Sequence, residues 1–132
     1  MAHDRKRIEQ LARTYTEAWC SHDPGRVVDH FVPGGTIAFN GGEPIGIEEV
    51  ANYFVGAYPD GEIVMDDLVF KEDCVEWHWT VTGTRAETGK RVRIAGFDEW
   101  TIGSDGLIAE SLRHYDEAEY DRQLRHGVGP TG

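Results

Sequence analysis

The sequence has few cysteines, no long hydrophobic run and little positive charge. Its two cysteines, Cys20 and Cys74, are far apart and form no Cys-x-x-Cys motif, so we expect unpaired, buried thiols in a reducing compartment. No apolar run approaches the ~20 residues that cross a membrane, and no apolar signal-peptide core follows the charged N-terminal residues. These absences favour a cytoplasmic protein without a membrane partner.

The charge balance and the missing motifs exclude further classes of function. The 24 acidic residues outnumber the 13 basic ones, and the formal net charge is -11. Such a field repels phosphate backbones, which argues against nucleic acid as a partner. The six histidines lack metal-ligand spacing, and neither a glycine-rich phosphate loop nor a nucleophile elbow is present. We therefore expect no metal and no nucleotide cofactor.

The first half of the chain has the apolar spacing of amphipathic helices. The pattern predicts helices over residues 4–21 and 46–58. Between them, Asp23 is suited to cap a short helix whose first residue is Pro24. The length and the hydrophobic fraction of 39% fit a single domain over residues 1–126, followed by a flexible, glycine-rich tail over residues 127–132.

The second half of the chain alternates between apolar and polar residues, as β-strands do. Strands are predicted over 62–71, 75–82, 91–102 and 107–115, with a hairpin turn at 103–106 and a short earlier strand at 36–39. The pattern of residues 116–124 fits either a short helix or an extended edge. Helices followed by strands predict an α+β fold in which three N-terminal helices pack on a curved antiparallel sheet, with a pocket between them.

The strand alternation places one carboxylate inside the fold. Asp98 shares a face with residues that are otherwise apolar, and a buried charge is paired, neutralised or functional. If Ile102 pairs with Ile108 across the hairpin, Asp98 lies opposite Leu112 and diagonal to Glu110 and His114. A buried Asp beside a His can act as an acid–base pair. The alternative is that an Asp–His or Asp–Arg contact only locks two strands together.

Other side chains are candidates for the pocket wall. Tyr15 lies on the apolar face of the first helix and either fills the core or donates a hydrogen bond into the pocket. Asn40 either reaches the pocket mouth or serves as a turn residue before two glycines. Aromatic residues are divided between core and ligand contact. The full set of predicted binding residues is Trp19, Phe39, Asn40, Phe54, Trp77, Trp79, Trp100, Glu110 and Leu112.

Three local segments resemble a known family. They are residues 17–24, 79–84 and 97–110, and they are similar to the SnoaL-like polyketide cyclase branch of the nuclear transport factor two superfamily. The resemblance spans about residues 8–124. It implies a cone-shaped barrel, built from three N-terminal helices on a strongly curved antiparallel or mixed sheet, that encloses one deep pocket. It also implies a homodimer through the outer face of the sheet.

Two relatives in that superfamily have catalytic residues that this sequence matches only in part. Ketosteroid isomerase uses a tyrosine and a protonated aspartate as its oxyanion hole, and Tyr15 and Asp98 resemble them. The position that resembles its catalytic base is Phe39. Limonene epoxide hydrolase has an arginine two residues before its strand aspartate, where this chain has Gly96. Neither catalytic set is complete.

Two functions remain open on the sequence alone. In the first, Asp98 and His114 act as general acid and base, and Tyr15 donates a hydrogen bond to an enolate oxygen. The reaction is a cofactor-free ring closure or isomerisation of an apolar, oxygenated small molecule. In the second, the pocket binds a small hydrophobic ligand without catalysis. A salt bridge from Asp98 to Arg113 or Arg93 favours the second function.

Overall fold

The computed structural model describes residues 5–128, which form four helices and six strands. The helices are α1 (Arg5–Cys20), α2 (Pro24–Val28), α3 (Ile47–Ala57) and α4 (Glu117–His126). The strands are β1 (Phe31–Phe39), β2 (Ile45–Gly46), β3 (Glu62–Phe70), β4 (Val75–Thr84), β5 (Arg91–Ile102) and β6 (Ile108–Tyr115). The predicted α+β class, with helices packed on a curved sheet, is confirmed.

The helices form where the apolar spacing predicts them. α1 buries one stripe, composed of Ile8, Ala12, Tyr15, Ala18 and Trp19. Asp23 caps α2 as expected, because its Oδ1 accepts a hydrogen bond from the Gly25 N–H at 3.0 Å. Residues 116–124, for which the sequence allows a helix or an extended edge, belong mostly to the helix α4. Asp116 caps α4 by accepting from the Glu119 N–H at 3.0 Å.

The six strands form one open sheet in the order β2-β1-β6-β5-β4-β3. β1 and β6 run parallel and the other neighbours antiparallel, so the sheet is mixed. The predicted closure into a barrel is wrong, because β2 and β3 lie at opposite edges. β2 is only two residues long before the chain turns into α3, so helices rather than strands complete the enclosure.

The inner face of the sheet carries the core, as the alternation predicts. On β4, Val75, Trp77 and Trp79 are buried, and on β5, Val92 and Trp100 are buried. α1 packs against this face, and the ring of Tyr15 contacts the rings of Trp77 and Trp100 at centroid distances of 4.9 and 5.5 Å. Aromatic stacking of this kind supplies much of the buried apolar area.

A β-bulge changes the register of the last hairpin. Ile102 pairs with Ile108 as predicted, but Thr101 then pairs with Glu110, so one residue of β6, Ala109, has no partner on β5. An extra residue reverses the faces of everything beyond it. Asp98 therefore lies opposite Arg113, and the prediction that it lies opposite Leu112 is wrong.

Only the first two residues of the predicted C-terminal tail are described. Gly127 is buried and ends α4 with a φ of 79°, a conformation that suits glycine. Residues 129–132 of the predicted tail lie outside the described residues. The two cysteines are unpaired, and both are partly rather than fully buried.

Candidate ligand pocket

A pocket of about 270 Å³ lies between the inner face of the sheet and the helices α1, α3 and α4. Eight of the residues that line it are aromatic: Trp19, Phe39, Tyr53, Phe54, Tyr58, Trp79, Tyr115 and Tyr120. Aliphatic residues fill most of the remaining wall, and Arg113 is the only charged residue among those that line it. Pockets of this composition bind small, mostly apolar molecules.

Asp98 lies beneath this pocket and is completely buried. Its carboxylate accepts from Nε and Nη2 of Arg113 at 2.9 and 3.0 Å. It also accepts from Nε1 of Trp79 at 2.9 Å and from Oγ of Ser111 at 3.0 Å. The buried carboxylate is thus paired and has four hydrogen-bond donors, which is what a buried ion requires.

Arg113 forms the polar floor of the pocket. Its Cζ lies 5.7, 5.6 and 5.1 Å from the ring centroids of Trp19, Phe39 and Trp79, distances that allow cation–π attraction. Burial, the largest single effect, lowers the pKa of Arg113, but the charge and hydrogen bonds of Asp98, together with smaller effects of Tyr15 and Tyr115, raise it above its ordinary value. The guanidinium is therefore charged at neutral pH, and Asp98 neutralises it.

Two buried donors near this ion pair have no hydrogen-bond partner among the described residues apart from each other. They are Nε1 of Trp19, in the pocket wall, and the hydroxyl of Tyr15. Tyr15 is completely buried and does not line the pocket. Burial, followed by the nearby charge of Asp98, raises the pKa of Tyr15 above its ordinary value. Its hydroxyl thus stays protonated, as a donor requires.

Tyrosine hydroxyls form a second polar region, where α3 and α4 meet. The hydroxyls of Tyr58 and Tyr120 are 2.5 Å apart, and both residues line the pocket. Burial, followed by the hydrogen bond to Tyr58, raises the pKa of Tyr120 above its ordinary value. The ring of Tyr115 contacts that of Tyr120 at a centroid distance of 5.7 Å. The raised pKa keeps the hydroxyl of Tyr120 protonated at neutral pH.

The predicted pairing of Asp98 with His114 is wrong. The bulge turns His114 to the outer face of the sheet, where its Nε2 lies 2.6 Å from Oε1 of Glu99. Its ring also packs on Phe97 at a centroid distance of 4.8 Å. Glu110 and Leu112 were predicted to line the pocket, but the same reversal exposes them. No acid–base pair of Asp98 and His114 exists in this fold.

The other predicted binding residues are divided between pocket and core. Trp19, Phe39, Phe54 and Trp79 line the pocket. Trp77 and Trp100 are core residues with no exposure, and Trp77 donates from Nε1 to Oγ1 of Thr16 at 3.1 Å.

Asn40 is a turn residue and not a residue of the pocket mouth, the two roles that the sequence allows. Its φ is 50°, which asparagine tolerates well. Its Oδ1 accepts from the Tyr115 N–H at 3.0 Å, so its side chain ties the end of β1 to β6.

The sequence alone does not reveal the residues that give the pocket its polarity. Arg113 and Tyr115 share the inner face of β6 only because of the bulge, and the sequence has no marker for a bulge at Ala109. Tyr58 directly follows α3 and Tyr120 lies in α4, and the contact of their hydroxyls depends on where α4 packs. The sequence does indicate Arg113 as one of two arginines that could form a salt bridge with Asp98.

The chemistry of the site is limited by what lines it. Among the described lining residues there is no Asp, Glu or His, so the pocket offers donors and no evident general base. Residues 5–128 contain no group of His, Cys, Asp and Glu that could hold a metal ion. Within the same range, no helix is long and apolar enough to cross a membrane.

Comparisons with known proteins agree with this architecture. The family model of the SnoaL-like domain matches residues 12–111, and no curated protein sequence matches the chain. TsrD from Streptomyces laurentii is a similar solved structure, with 23% identity, a TM-score of 0.79, and coverage of 93% of this chain and 98% of TsrD.

Two further solved structures are similar. SalBIII is an epoxide hydrolase/cyclase-like enzyme with a role in pyran ring formation in the polyether salinomycin. It shares 19% identity, with a TM-score of 0.78 and coverage of 88% of this chain and 95% of SalBIII. A candidate SnoaL-like polyketide cyclase from Jannaschia sp. CCS1 shares 17% identity, with a TM-score of 0.77 and coverage of 97% and 99%. Likenesses at these identities establish the fold and leave the function to the site itself.

Proposed function

The chain belongs to the SnoaL-like domain family, and from that premise we propose that its pocket binds a small, mostly apolar molecule that carries an acceptor oxygen. The observation behind the proposal is an aromatic and aliphatic wall around a single guanidinium, that of Arg113. Apolar burial contributes ~25 cal/mol per Å². The volume of about 270 Å³ is small for a ligand pocket, which favours a molecule of one or two rings.

The donors at the pocket floor define the oxygen that they would bind. Asp98 occupies Nε and Nη2 of Arg113, whereas Nη1 has no hydrogen bond to any described residue. Nε1 of Trp19 is a second donor, which interacts with the Tyr15 hydroxyl and has no other partner among the described residues. Because Asp98 cancels the charge of Arg113, this floor suits an uncharged acceptor such as a ketone, ether or ester oxygen.

The hydrogen bonds of Asp98 support binding over the acid–base chemistry that the sequence suggested. The carboxylate of Asp98 accepts four hydrogen bonds, two of them from a guanidinium, so its oxygens are occupied by protein donors. It also does not line the pocket. This is the salt-bridged arrangement that favours ligand binding without catalysis.

The test compares two probes that differ by one oxygen. We expect 1-tetralone to bind the protein more tightly than tetralin does, in isothermal titration. Trp19→Phe removes one donor from the floor and should narrow the difference between the probes, while Val81→Trp fills the pocket and should weaken both. Equal affinity for the two probes would contradict the assigned acceptor, and binding unchanged in Val81→Trp would contradict the pocket.

A second candidate function is catalysis, and the hydroxyl pair of Tyr58 and Tyr120 favours it. Two hydroxyls 2.5 Å apart in a pocket wall are a possible proton donor to a substrate oxygen. These hydroxyls would stabilise the negative charge that develops on that oxygen. This is cofactor-free chemistry of the cyclase or isomerase type. Tyr15, completely buried beside Asp98 and Arg113, would then help to orient the floor rather than contact the substrate.

Enolisation of the ketone probe separates the two candidates. In such a reaction a tyrosine hydroxyl donates a hydrogen bond to the ketone oxygen of 1-tetralone while a solvent molecule takes the proton from C2. The enol then takes a deuteron from solvent at C2, so the probe exchanges hydrogen for deuterium in D2O. We expect NMR-detected exchange faster than in buffer for a catalyst, and slower exchange in Tyr58→Phe. Exchange at the buffer rate with the probe bound would leave binding as the function.

We further propose that the chain forms a homodimer through the outer face of its sheet and works in the cytoplasm. Exposed apolar residues on that face, Val64 at 61% and Leu112 at 37% exposure, support the first point. The unpaired state of Cys20 and Cys74 supports the second.

A further inference from the structure

Arg85 is a second guanidinium close to the pocket. It does not line the pocket itself, but it contacts the lining residues Tyr53 and Tyr58, which define the Arg85 end of the pocket. It follows directly on β4, and its side chain is 17% exposed. Its Cζ lies 5.5 Å from the ring centroids of both Tyr53 and Tyr58. Its Nη1 is buried and has no hydrogen-bond partner among the described residues. A buried donor of a charged group without a partner is costly unless it serves a ligand.

The charge of Arg85 is poorly neutralised, in contrast to that of Arg113. Its ion-pair partner is Glu87, whose Oε1 lies 4.0 Å from Nη2 and whose side chain is 79% exposed. Such a long, solvated pair contributes little. Arg113 instead has a bidentate partner at 2.9 and 3.0 Å. The two ends of the pocket therefore differ in charge: the floor is neutral and the Arg85 end is positive.

The Arg85 end is also where the pocket reaches solvent. Tyr53 lines the pocket and is 58% exposed, whereas Trp19 and Trp79 at the floor are 1% and 4% exposed. Burial lowers the pKa of Arg85, and the hydroxyls of Tyr53 and Tyr58 raise it by more, so that the pKa is above its ordinary value. Arg85 is therefore charged at neutral pH. Because exposed side chains change rotamer rapidly, rotation of Tyr53 would open access to Arg85 from the pocket.

The hydroxyls beside Arg85 add neutral donors to this charge. Within the pair formed by Tyr58 and Tyr120, one hydroxyl donates to the other, which leaves one hydroxyl hydrogen available to the pocket. A guanidinium with tyrosine hydroxyls, and no carboxylate among the described lining residues, matches the acceptor oxygens of an anion.

We propose that Arg85, Tyr58 and Tyr120 form a carboxylate subsite at the mouth of the pocket. Resting on the proposed function, this defines the ligand class as an apolar carboxylic acid. The carboxylate lies at the mouth, and an uncharged oxygen lies at the floor beside Arg113. The apolar body spans the aromatic wall between them. An anionic ligand is also compatible with the net charge of -11, because the subsite is a local positive region whose acidic neighbour, Glu87, is 4.0 Å away and largely solvated.

The test uses 6-carboxy-1-tetralone and its primary amide, which share one body and differ in charge. Isothermal titration at neutral pH measures both with the wild type, Arg85→Gln and Arg26→Gln. Arg26 is exposed and does not line the pocket, so its variant removes the same charge elsewhere. Tyr120→Phe removes one hydroxyl from the subsite while keeping the ring.

We expect the carboxylate to bind the wild type about tenfold more tightly than the amide. Arg85→Gln should abolish this preference, Tyr120→Phe should reduce it, and Arg26→Gln should retain it. Equal affinity of the two probes for the wild type, or a preference retained in Arg85→Gln, would overturn the subsite while leaving the pocket function in place. If neither these probes nor 1-tetralone binds, the proposed function fails and the subsite fails with it.

Discussion

Asp98 has no exposed surface in the folded chain, and four hydrogen bonds offset its loss of hydration. At the scale of single residues, the pair that it forms with Arg113 determines how the pocket floor behaves. Removal of one member of a buried ion pair leaves an unneutralised charge, whereas replacement of both by apolar residues is often tolerated. The main effect of the pair is therefore to hold Nη1 of Arg113 in place, and its net contribution to the stability of the fold is small.

Stability measurements on the pair can separate these effects. We expect Asp98→Leu to lower the free energy of unfolding by ~3–5 kcal/mol, because Arg113 is left buried without a partner. The double variant Asp98→Leu/Arg113→Met should be more stable than the single variant, despite its additional substitution. Urea denaturation of the three proteins measures this. Equal or greater loss in the double variant would show that packing, and not the unpaired charge, sets the cost.

Gly96 explains why the arginine found at the corresponding position in limonene epoxide hydrolase has no counterpart here. A Cβ at Gly96 would lie 2.4 Å from the carbonyl oxygen of His114 and 2.9 Å from a ring carbon of Trp79. Real Cβ atoms do not approach so closely, and the nearest atom belongs to a paired strand. Any side chain at this position would therefore push β5 away from β6.

Alanine at Gly96 should thus destabilise the fold, and a second glycine provides the matched control. We expect Gly96→Ala to cost ~1–3 kcal/mol, as overpacking does. Gly56 lies in α3 with no atom within 4 Å of a built Cβ, so Gly56→Ala should stabilise the protein by ~0.5–1 kcal/mol through helix propensity. Thermal unfolding of both variants gives the two signs. A neutral Gly96→Ala would mean that the strands adjust without cost.

At the scale of the elements, the sequence predicts the parts of the fold that obey a regular period. The apolar stripe of α1 and the inner face of β4 and β5 follow from spacing alone, because each residue has its own place in a repeat. The faces of β6 do not, because one unpaired residue at Ala109 inverts them. Asp98 was thus placed correctly and its partner wrongly: the partner is Arg113 and not His114.

The packing of α4 could not be predicted in the same way. It depends on one side chain of α4 that makes hydrogen bonds to the backbone of β5, as a neighbouring strand would. Gln123 is buried, accepts from the Arg93 N–H at 2.6 Å and donates to the Arg93 carbonyl at 2.9 Å. It also donates to Oε2 of Glu119 at 2.6 Å. These bonds satisfy the β5 backbone beyond the end of its pairing with β6, and they hold Tyr120 against the pocket.

Acid should weaken this attachment of α4. The hydrogen bonds from Arg122 and then Gln123 lower the pKa of Glu119 from 4.5 to about 2. A lowered pKa gives stability that is fully present above the ordinary value and is lost as the pH falls through the folded value. We therefore expect the stability difference between wild type and Glu119→Gln to be constant above pH 4.5 and to shrink as the pH falls toward 2.

Urea denaturation across this pH range, combined with amide hydrogen exchange of α4, measures the effect. Glu117→Gln is the control, because Glu117 is an acidic residue of the same first helical turn and has no hydrogen bond to Gln123. The removal of Glu119 should expose α4 amides to exchange at neutral pH, and the removal of Glu117 should not. A difference between wild type and Glu119→Gln that does not change with pH would contradict the assigned role of the ionised carboxylate.

At the scale of the whole molecule, the net charge of -11 and the outer face of the sheet have opposite effects on self-association. The outer face combines apolar exposure at Val64 and Leu112 with the rings of His78, Phe97 and His114. Phe97 packs between the two histidines, at centroid distances of 5.0 and 4.8 Å. This face favours self-association, whereas equal charges on two copies oppose it.

The proposed homodimer should therefore tighten as salt is added, because ions screen the repulsion between like-charged copies while apolar contact persists. Analytical ultracentrifugation at low and physiological ionic strength should show a dimer with lower dissociation at the higher salt concentration. Leu112→Arg places a charge on the outer face and should give a monomer. Asn52→Arg adds the same charge on the exposed surface of α3 and should not. Dimers that persist in Leu112→Arg would assign the interface to another face. A wild type that is monomeric at both salt concentrations would contradict the homodimer, and the pocket would then belong to a single chain.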